Sequence, residues 1–143
     1  MNCDRGQLLN RALSKLDKHT PATVLVQGTC TEYVQITGFE DLTVKGLPGA
    51  TLAQPATIPT IPPVALLLID TSRSVVIDGL NVNSTPSSPN GIGVGSNGID
   101  VRLRNLTVAG GGALVVPLSP LFLSSRAGFS PRGIRISDFF TSL

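Results

Sequence analysis

The acidic side chains of this 143-residue sequence are spread along the chain and form no cluster. Carboxylates that act as a catalytic pair are held about 5 to 10 Å apart, and a hard cation needs several of them together. Only Glu40 and Asp41 are adjacent, and they lie in a predicted turn where carboxylates are usually solvated. Asp70 and Asp100 flank predicted strands and are expected to form turns through hydrogen bonds to the backbone. The sequence therefore predicts no catalytic residue, no metal site and no cofactor.

Two arginines are the candidates for contact with a ligand. Arg102 and Arg135 hold the same position in two copies of a repeated segment, and both are expected to point outward. A guanidinium group can bind a carboxylate through two parallel hydrogen bonds, so this pair could hold an acidic sugar. The alternative is that both arginines simply belong to a solvated face.

The two cysteines, Cys3 and Cys30, lie on either side of a predicted helix and the first predicted strand. A disulfide between them would fasten the N-terminal segment to the strands and would indicate an oxidising compartment. The alternative is a pair of buried free thiols in a reducing compartment. The sequence has no CxxC spacing and no histidine near either cysteine, which argues against a metal site.

Composition excludes several classes of partner. Charged residues make up 14% of the chain and hydrophobic ones 41%, with 15 glycines and 11 prolines, which suits a turn-rich β protein. A net charge of +2 without a basic patch, together with 4% aromatic residues, predicts no nucleic-acid partner. We also expect no membrane partner, because no apolar run reaches the roughly 18 residues that a span needs. No basic and apolar leader follows Met1, so we expect no signal peptide in this chain.

The segment from Asp4 to His19 is predicted to form an amphipathic helix that caps one end of the fold. Its apolar residues recur at helical spacing, namely Leu8, Leu9, Ala12, Leu13 and Leu16. Asp4 and Gln7 have the spacing of a capping box at the start of the helix. His19, the only histidine, falls at its end, where a cation interacts favourably with the helix dipole.

After Pro21 the apolar pattern becomes alternating, and four six-residue segments can be aligned. They are LTVKGL from Leu42, VVIDGL from Val75, VRLRNL from Val101 and IRISDF from Ile134. The first and third positions are apolar in every copy and the second and fourth are mostly polar, as in strands with one buried side. The fifth position is Gly46, Gly79, Asn105 or Asp138. Because these residue types tolerate positive φ, this position predicts a one-residue bend between two strands.

Segments that cannot bury their apolar side alone must stack on one another. We therefore predict an all-β fold, a right-handed parallel β-helix of about four coils closed by the N-terminal helix. Equivalent positions of successive coils would then lie in columns. Lys45, Asp78 and Arg104 would form one such column, of alternating charge, on the outer surface.

We predict a single domain over residues 1–143. It comprises the cap helix at 4–19, regular coils at 22–112 and a less regular final coil at 113–143, which we expect to be truncated. A bare last coil exposes unpaired strand edges, so further coils, the last segment itself or another subunit would have to cover it. Self-association through this C-terminal end is therefore a candidate interaction.

The residues also resemble a known family. The order of NC, an amphipathic helix, ATVLVQGTC, EYVQI and FEDLTVKGLPGATL resembles the N-terminal coils of secreted bacterial right-handed β-helix proteins of the pectin lyase-like superfamily. The resemblance runs from Asn2 to about Gly112, with Ile134 to Phe139 as a further coil. It implies an extracytoplasmic location, periplasmic or secreted, and a polysaccharide partner. Lyases of this superfamily use clustered aspartates and its glycosidases use paired aspartates, and this sequence has neither pattern.

These observations leave three hypotheses for function. The first is a non-catalytic extracytoplasmic β-helix module that binds glycans or serves as a surface scaffold, because the repeats are regular and the acids are not clustered. The second is the N-terminal part of a polysaccharide lyase or glycoside hydrolase whose catalytic coils lie beyond Leu143. The third is a truncated reading frame without a function of its own.

Overall fold

The computed structural model describes residues 1–57, 59–60, 63, 65–84, 90–95, 99–109, 115–117 and 135–142. Two short helices come first, a 3-10 helix at Cys3–Arg5 and α1 at Leu9–Leu13. The strands that follow are β1 (Ala22–Val26), β2 (Thr29–Thr31), β3 (Val34–Thr37), β4 (Leu42–Gly46), β5 (Thr51–Ala53), β6 (Ala65–Asp70), β7 (Arg73–Asp78), β8 (Asn81–Asn83), β9 (Asn90–Val94), β10 (Ile99–Ala109), β11 (Val115–Pro117) and β12 (Arg135–Ser142).

The strands wind around three faces. The first face is formed by β1, β4, β7 and the first part of β10, which pair in that order. The second face is formed by β2, β5, β8 and the last part of β10, also paired in that order. The third face is formed by β3, β6, β9 and β11, and β12 pairs along β10. All of these pairings are parallel. Each coil thus contributes one strand to each face, which confirms the predicted parallel β-helix.

The strand register agrees with the sequence alignment. Leu42 lies beside Val75, and Val75 lies beside Val101. In the next coil Leu103 lies beside Ile136, as the alignment requires, although the predicted start of that segment at Ile134 lies outside the described residues. Most of the predicted irregular stretch at 113–143 also lies outside them, apart from β11 and β12.

The core lies inside the coils and is built from columns of inward side chains. One column on the first face contains Val44, Ile77 and Leu103, each no more than 1% exposed. On the second face the corresponding column contains Leu52, Val82 and Val108. Burying each such side chain fully stabilises the fold by about 1.5 to 3 kcal/mol, so a shift of register by one residue would be costly.

The bends between the first and second faces are not all alike. Gly79 and Asn105 have φ of 70° and 52°, which confirms the predicted one-residue bend in these two coils. The same prediction is wrong for Gly46, which does not adopt positive φ. There the chain turns later, where Gly49 has φ of 83° and the Ala50 N–H donates to the Leu47 carbonyl at 2.8 Å.

The N-terminal cap contains far less helix than predicted. α1 covers only Leu9–Leu13 instead of the whole of 4–19. Its late start follows from Gly6, which turns the chain with φ of 76° directly after the 3-10 helix. The predicted capping box is also wrong, since the Asp4 carboxylate accepts a hydrogen bond from the Thr29 N–H at 2.8 Å. Glu32 performs the capping instead and accepts hydrogen bonds from the Leu9 and Asn10 N–H groups.

Candidate functional site

The outer surface of the first face carries the candidate site. We call the arginine face the outward residues Asp78 of β7 and Asp100, Arg102 and Arg104 of β10, together with the position of Arg135, which pairs with Arg102 in the backbone. Side chains alternate along β10, so that Val101 and Leu103 are buried while Arg102 and Arg104 are exposed. The two arginines therefore lie on the same side of one strand, about 7 Å apart along it.

Arg102 is held by an acid on its own strand. Its Nε and Nη2 atoms donate to the two carboxylate oxygens of Asp100 at 3.1 and 3.0 Å. The hydrogen bond and the charge of Asp100 both raise the pKa of the Arg102 guanidinium, which therefore stays charged at any physiological pH. Asp100 itself has φ of 53°, a left-handed conformation that aspartate tolerates better than most residues.

Arg104 is held by an acid on the neighbouring strand. Its Nε lies 3.3 Å from an oxygen of Asp78, and the Asn105 side-chain amide donates to the other Asp78 oxygen at 2.7 Å. The predicted charge column is thus present in the register, since Lys45 lies beside Asp78 and Asp78 beside Arg104. Asp78 joins the two coils at the bend.

Arg135 lies directly beside Arg102 in the parallel pairing of β10 and β12. The two Cα positions are therefore separated by one strand spacing, about 4.8 Å. The side chain of Arg135 lies outside the described residues. The structure accordingly brings the two predicted contact residues together in the backbone, and their contact with a glycan stays a prediction.

The arrangement on Arg102 leaves it able to bind an anion. A guanidinium group has five N–H donors, and Asp100 occupies two of them. The others can still donate to a carboxylate or sulfate group, and the side chain is already fixed in one orientation.

The other titratable residues singled out in the sequence have structural contacts. Asp70 forms the expected turn, in which its carboxylate accepts from the Thr71 N–H at 2.9 Å. His19 does not lie at a helix end, since α1 ends at Leu13, and its Nδ1 lies 3.1 Å from Glu40 in an exposed pair. Among the described residues no group of three or more His, Cys, Asp or Glu side chains could hold a metal ion.

Cys3 and Cys30 form a disulfide, with their Cα atoms 4.9 Å apart. The bond joins the 3-10 helix to β2, where both residues are buried. Of the two sequence-based alternatives, the disulfide is the one in the structure. No helix in the described part of the chain is long and apolar enough to span a membrane.

Three features of the structure were not predicted from the sequence, namely the roles of Glu32 and Ser72 and the ion pair between Asp100 and Arg102. Glu32 and Ser72 are buried polar residues with structural roles, and nothing in the local sequence marks them as such. The Asp100–Arg102 pair did leave a signal, because an acid and an arginine two residues apart on a strand share one side.

Comparison with known proteins identifies the fold. No protein-family model and no curated protein matches the sequence. The structure matches an aspartate-to-alanine variant of a pectin methylesterase in complex with a hexasaccharide, with a TM-score of 0.61 and 13% identity over 73% of this chain and 45% of that chain. It also matches a second pectin methylesterase–hexasaccharide complex, with a TM-score of 0.59 and 15% identity over 72% of this chain and 41% of that chain.

The chain has the right-handed parallel β-helix fold of pectin lyase-like proteins. This confirms both the predicted handedness and the predicted fold class. The chain spans less than half the length of either esterase chain. At this level of identity the likeness establishes the fold of the β-helix and leaves its activity to be argued from its own residues.

Proposed function

We propose that the chain is a non-catalytic, extracytoplasmic β-helix module that binds acidic polysaccharide on its arginine face. Arg102 and Arg135 are the proposed contacts. Their register carries the proposal, because two guanidinium groups on adjacent strands can hold two acidic groups of one extended chain. A polysaccharide partner is also consistent with the hexasaccharides in the two matching esterase structures.

The extracytoplasmic location is supported by the Cys3–Cys30 disulfide. Structural disulfides form and persist in oxidising compartments and are rare in reducing ones. The pair is buried, which also protects it from reduction. The periplasm and the extracellular space both satisfy this condition.

Binding to polygalacturonate tests the proposal. We expect the oxidised protein to bind it in affinity electrophoresis and calorimetry, with an affinity that falls as salt is raised. Arg102→Ala and Arg135→Ala should each weaken binding about 3- to 10-fold, because each removes a charge-assisted contact. Arg11→Ala is the matched control, since Arg11 is exposed on α1 at the cap and should not change binding.

A neutral polysaccharide and a methyl-esterified pectin complete the design. Both should bind more weakly than polygalacturonate, because they lack the carboxylates that the arginines are proposed to hold. If polygalacturonate does not bind, or if both arginine variants bind as well as the wild type, the glycan-binding proposal is wrong. The surface-scaffold role would then be favoured.

A second candidate function is that of the N-terminal part of a polysaccharide-active enzyme, a lyase or a hydrolase. The structural likeness to two pectin methylesterases favours it, because this chain covers 45% and 41% of their lengths. The coding sequence that follows Leu143 in the gene separates the two functions. If it encodes further coils with clustered or paired aspartates, the extended chain should release methanol, unsaturated products or new reducing ends from polygalacturonate or methyl-esterified pectin, and the enzymatic function is supported over the binding module.

A further inference from the structure

We propose that Asp100 is a positioning residue for ligand binding, which holds Arg102 in the orientation that binds an acidic group. This inference rests on the proposed function of the arginine face. It assigns a role in binding to a residue whose charge is negative, like that of the proposed ligand. An acid beside an anion-binding arginine would ordinarily weaken binding. The geometry points to the opposite effect.

Asp100 and Arg102 are in direct contact. Asp100 meets Arg102 through both carboxylate oxygens, at 3.1 and 3.0 Å, so that the guanidinium plane is fixed. The Arg102 side chain is 48% exposed, and without this contact it would sample many rotamers in water. A side chain that is already ordered loses less entropy when a ligand binds.

Asp100 uses only part of the donor set of the Arg102 guanidinium group. Nε and one N–H of Nη2 point to Asp100, which leaves Nη1 and the other N–H of Nη2 for a ligand. These donors lie on the edge of the guanidinium group away from Asp100. A ligand carboxylate can therefore bind that edge without displacing the Asp100 carboxylate.

The backbone at Asp100 departs from regular strand geometry. Asp100 has φ of 53°, and Ser74, at the equivalent position of β7, has φ of 48°. The conformation recurs in two successive coils and therefore belongs to the β-helix itself, and aspartate tolerates it better than most residues. Asp100 and Arg102 therefore meet at a point where the strand departs from regular geometry.

The experiment compares Asp100→Asn with Asp41→Asn in the polygalacturonate binding assay. Asparagine tolerates left-handed φ as well as aspartate does, so Asp100→Asn should fold normally. Asp41 is the matched control, because it is exposed and lies directly before Leu42, the residue equivalent to Val101 in the sheet register. The position equivalent to Arg102 is occupied there by Thr43. Each substitution removes one negative charge from the same face.

The two explanations predict opposite signs. If only charge matters, both variants should bind polygalacturonate up to about twofold more tightly. If Asp100 positions Arg102, Asp100→Asn should bind about 2- to 10-fold more weakly, while Asp41→Asn binds as tightly as the wild type or slightly more so. Binding by Asp100→Asn that equals or exceeds that of the wild type overturns the inference.

A double-mutant cycle with Arg102→Ala shows whether the effect passes through Arg102. In that background Asp100→Asn should no longer weaken binding, because there is no guanidinium group left to position. A loss that persists contradicts the positioning role. Unchanged binding by both Arg102→Ala and Arg135→Ala would instead overturn the proposed function and this inference with it, so the two failures are distinguishable.

Discussion

Gly46 packs against the backbone of Gly79 in the next coil, at the bend between the first and second faces. A Cβ atom added to Gly46 would lie 2.2 Å from the Gly79 carbonyl oxygen and 2.8 Å from its carbonyl carbon. Real Cβ atoms do not approach backbone atoms so closely, and neither partner can move without shifting a strand. The glycine at this position is required by close packing between coils.

We therefore expect Gly46→Ala to lower the free energy of unfolding by about 1 to 3 kcal/mol, as overpacking of a tight contact does. Urea denaturation followed by circular dichroism would measure this loss. Gly49→Asn is the control, because Gly49 has positive φ but nothing within 4 Å of an added Cβ, and asparagine tolerates that conformation. An equal loss in both variants would mean that the close approach of Gly79 is not the cause of the loss in Gly46→Ala.

The disulfide between Cys3 and Cys30 should contribute strongly to stability. It closes a loop with a sequence separation of 27 residues, which in the chain-entropy account stabilises the fold by roughly 3 to 4 kcal/mol. Reduction with dithiothreitol should lower the denaturation midpoint by a corresponding amount. The double variant Cys3→Ala/Cys30→Ala should match the reduced protein and should not respond to the reductant. A midpoint that is unaffected by reduction of the wild type would contradict the prediction.

The strand register could be predicted from the sequence because it depends on a repeated local pattern. The alternation around Val75 and Val101 specifies which side is buried, and coils of this kind stack like positions on like positions. The same repeat predicts equivalent positions for Arg102 and Arg135, and the two residues lie side by side in the pairing of β10 and β12.

Contacts between distant segments could not be predicted in this way. The periodicity of Leu8 to Leu16 predicts a long helix, but Gly6 and the remote Glu32 set the start of α1 at Leu9, and the helix ends at Leu13. Aspartate is typical of turns, so its residue type alone does not indicate an ion pair. Only the position of Asp100 two residues before Arg102, on the same exposed side of a strand, indicates that pair.

Ser72 is a buried hydroxyl that joins two coils. It is 0% exposed, accepts a hydrogen bond from the Phe39 N–H at 3.1 Å and donates to the Asp70 carbonyl at 2.9 Å. Ser72→Ala leaves a buried N–H without this acceptor and should cost about 1 to 3 kcal/mol of unfolding free energy, measured by urea denaturation.

The control for Ser72 is Ser14→Ala. The Ser14 hydroxyl also donates to a carbonyl, that of Arg11 at 3.0 Å, but on an exposed part of the cap. Its removal should change the unfolding free energy by no more than about 0.5 kcal/mol, because water replaces the lost partner. Equal effects of the two substitutions would mean that the burial of Ser72 is not the cause.

Glu32 should hold the cap in place by acting as a remote helix cap. It is 8% exposed, and its carboxylate accepts hydrogen bonds from the Leu9 and Asn10 N–H groups at the start of α1. These N–H groups have no partner within the helix, so loss of the carboxylate leaves them unsatisfied in a largely buried place. Glu32→Ala should therefore lower the unfolding free energy by about 1 to 3 kcal/mol.

Hydrogen exchange distinguishes this local role of Glu32 from a general loss of stability. The Leu9 and Asn10 amides should exchange faster in Glu32→Ala than in the wild type, by a larger factor than the amides of β7, because the cap opens before the coils do. Glu32→Gln keeps one acceptor oxygen and should give an intermediate effect. Glu40→Ala is the control, since Glu40 is exposed and its carboxylate lies beside the exposed His19 side chain. If the amides of α1 and β7 were affected equally, Glu32 would contribute to the whole β-helix and would not act as a cap for α1.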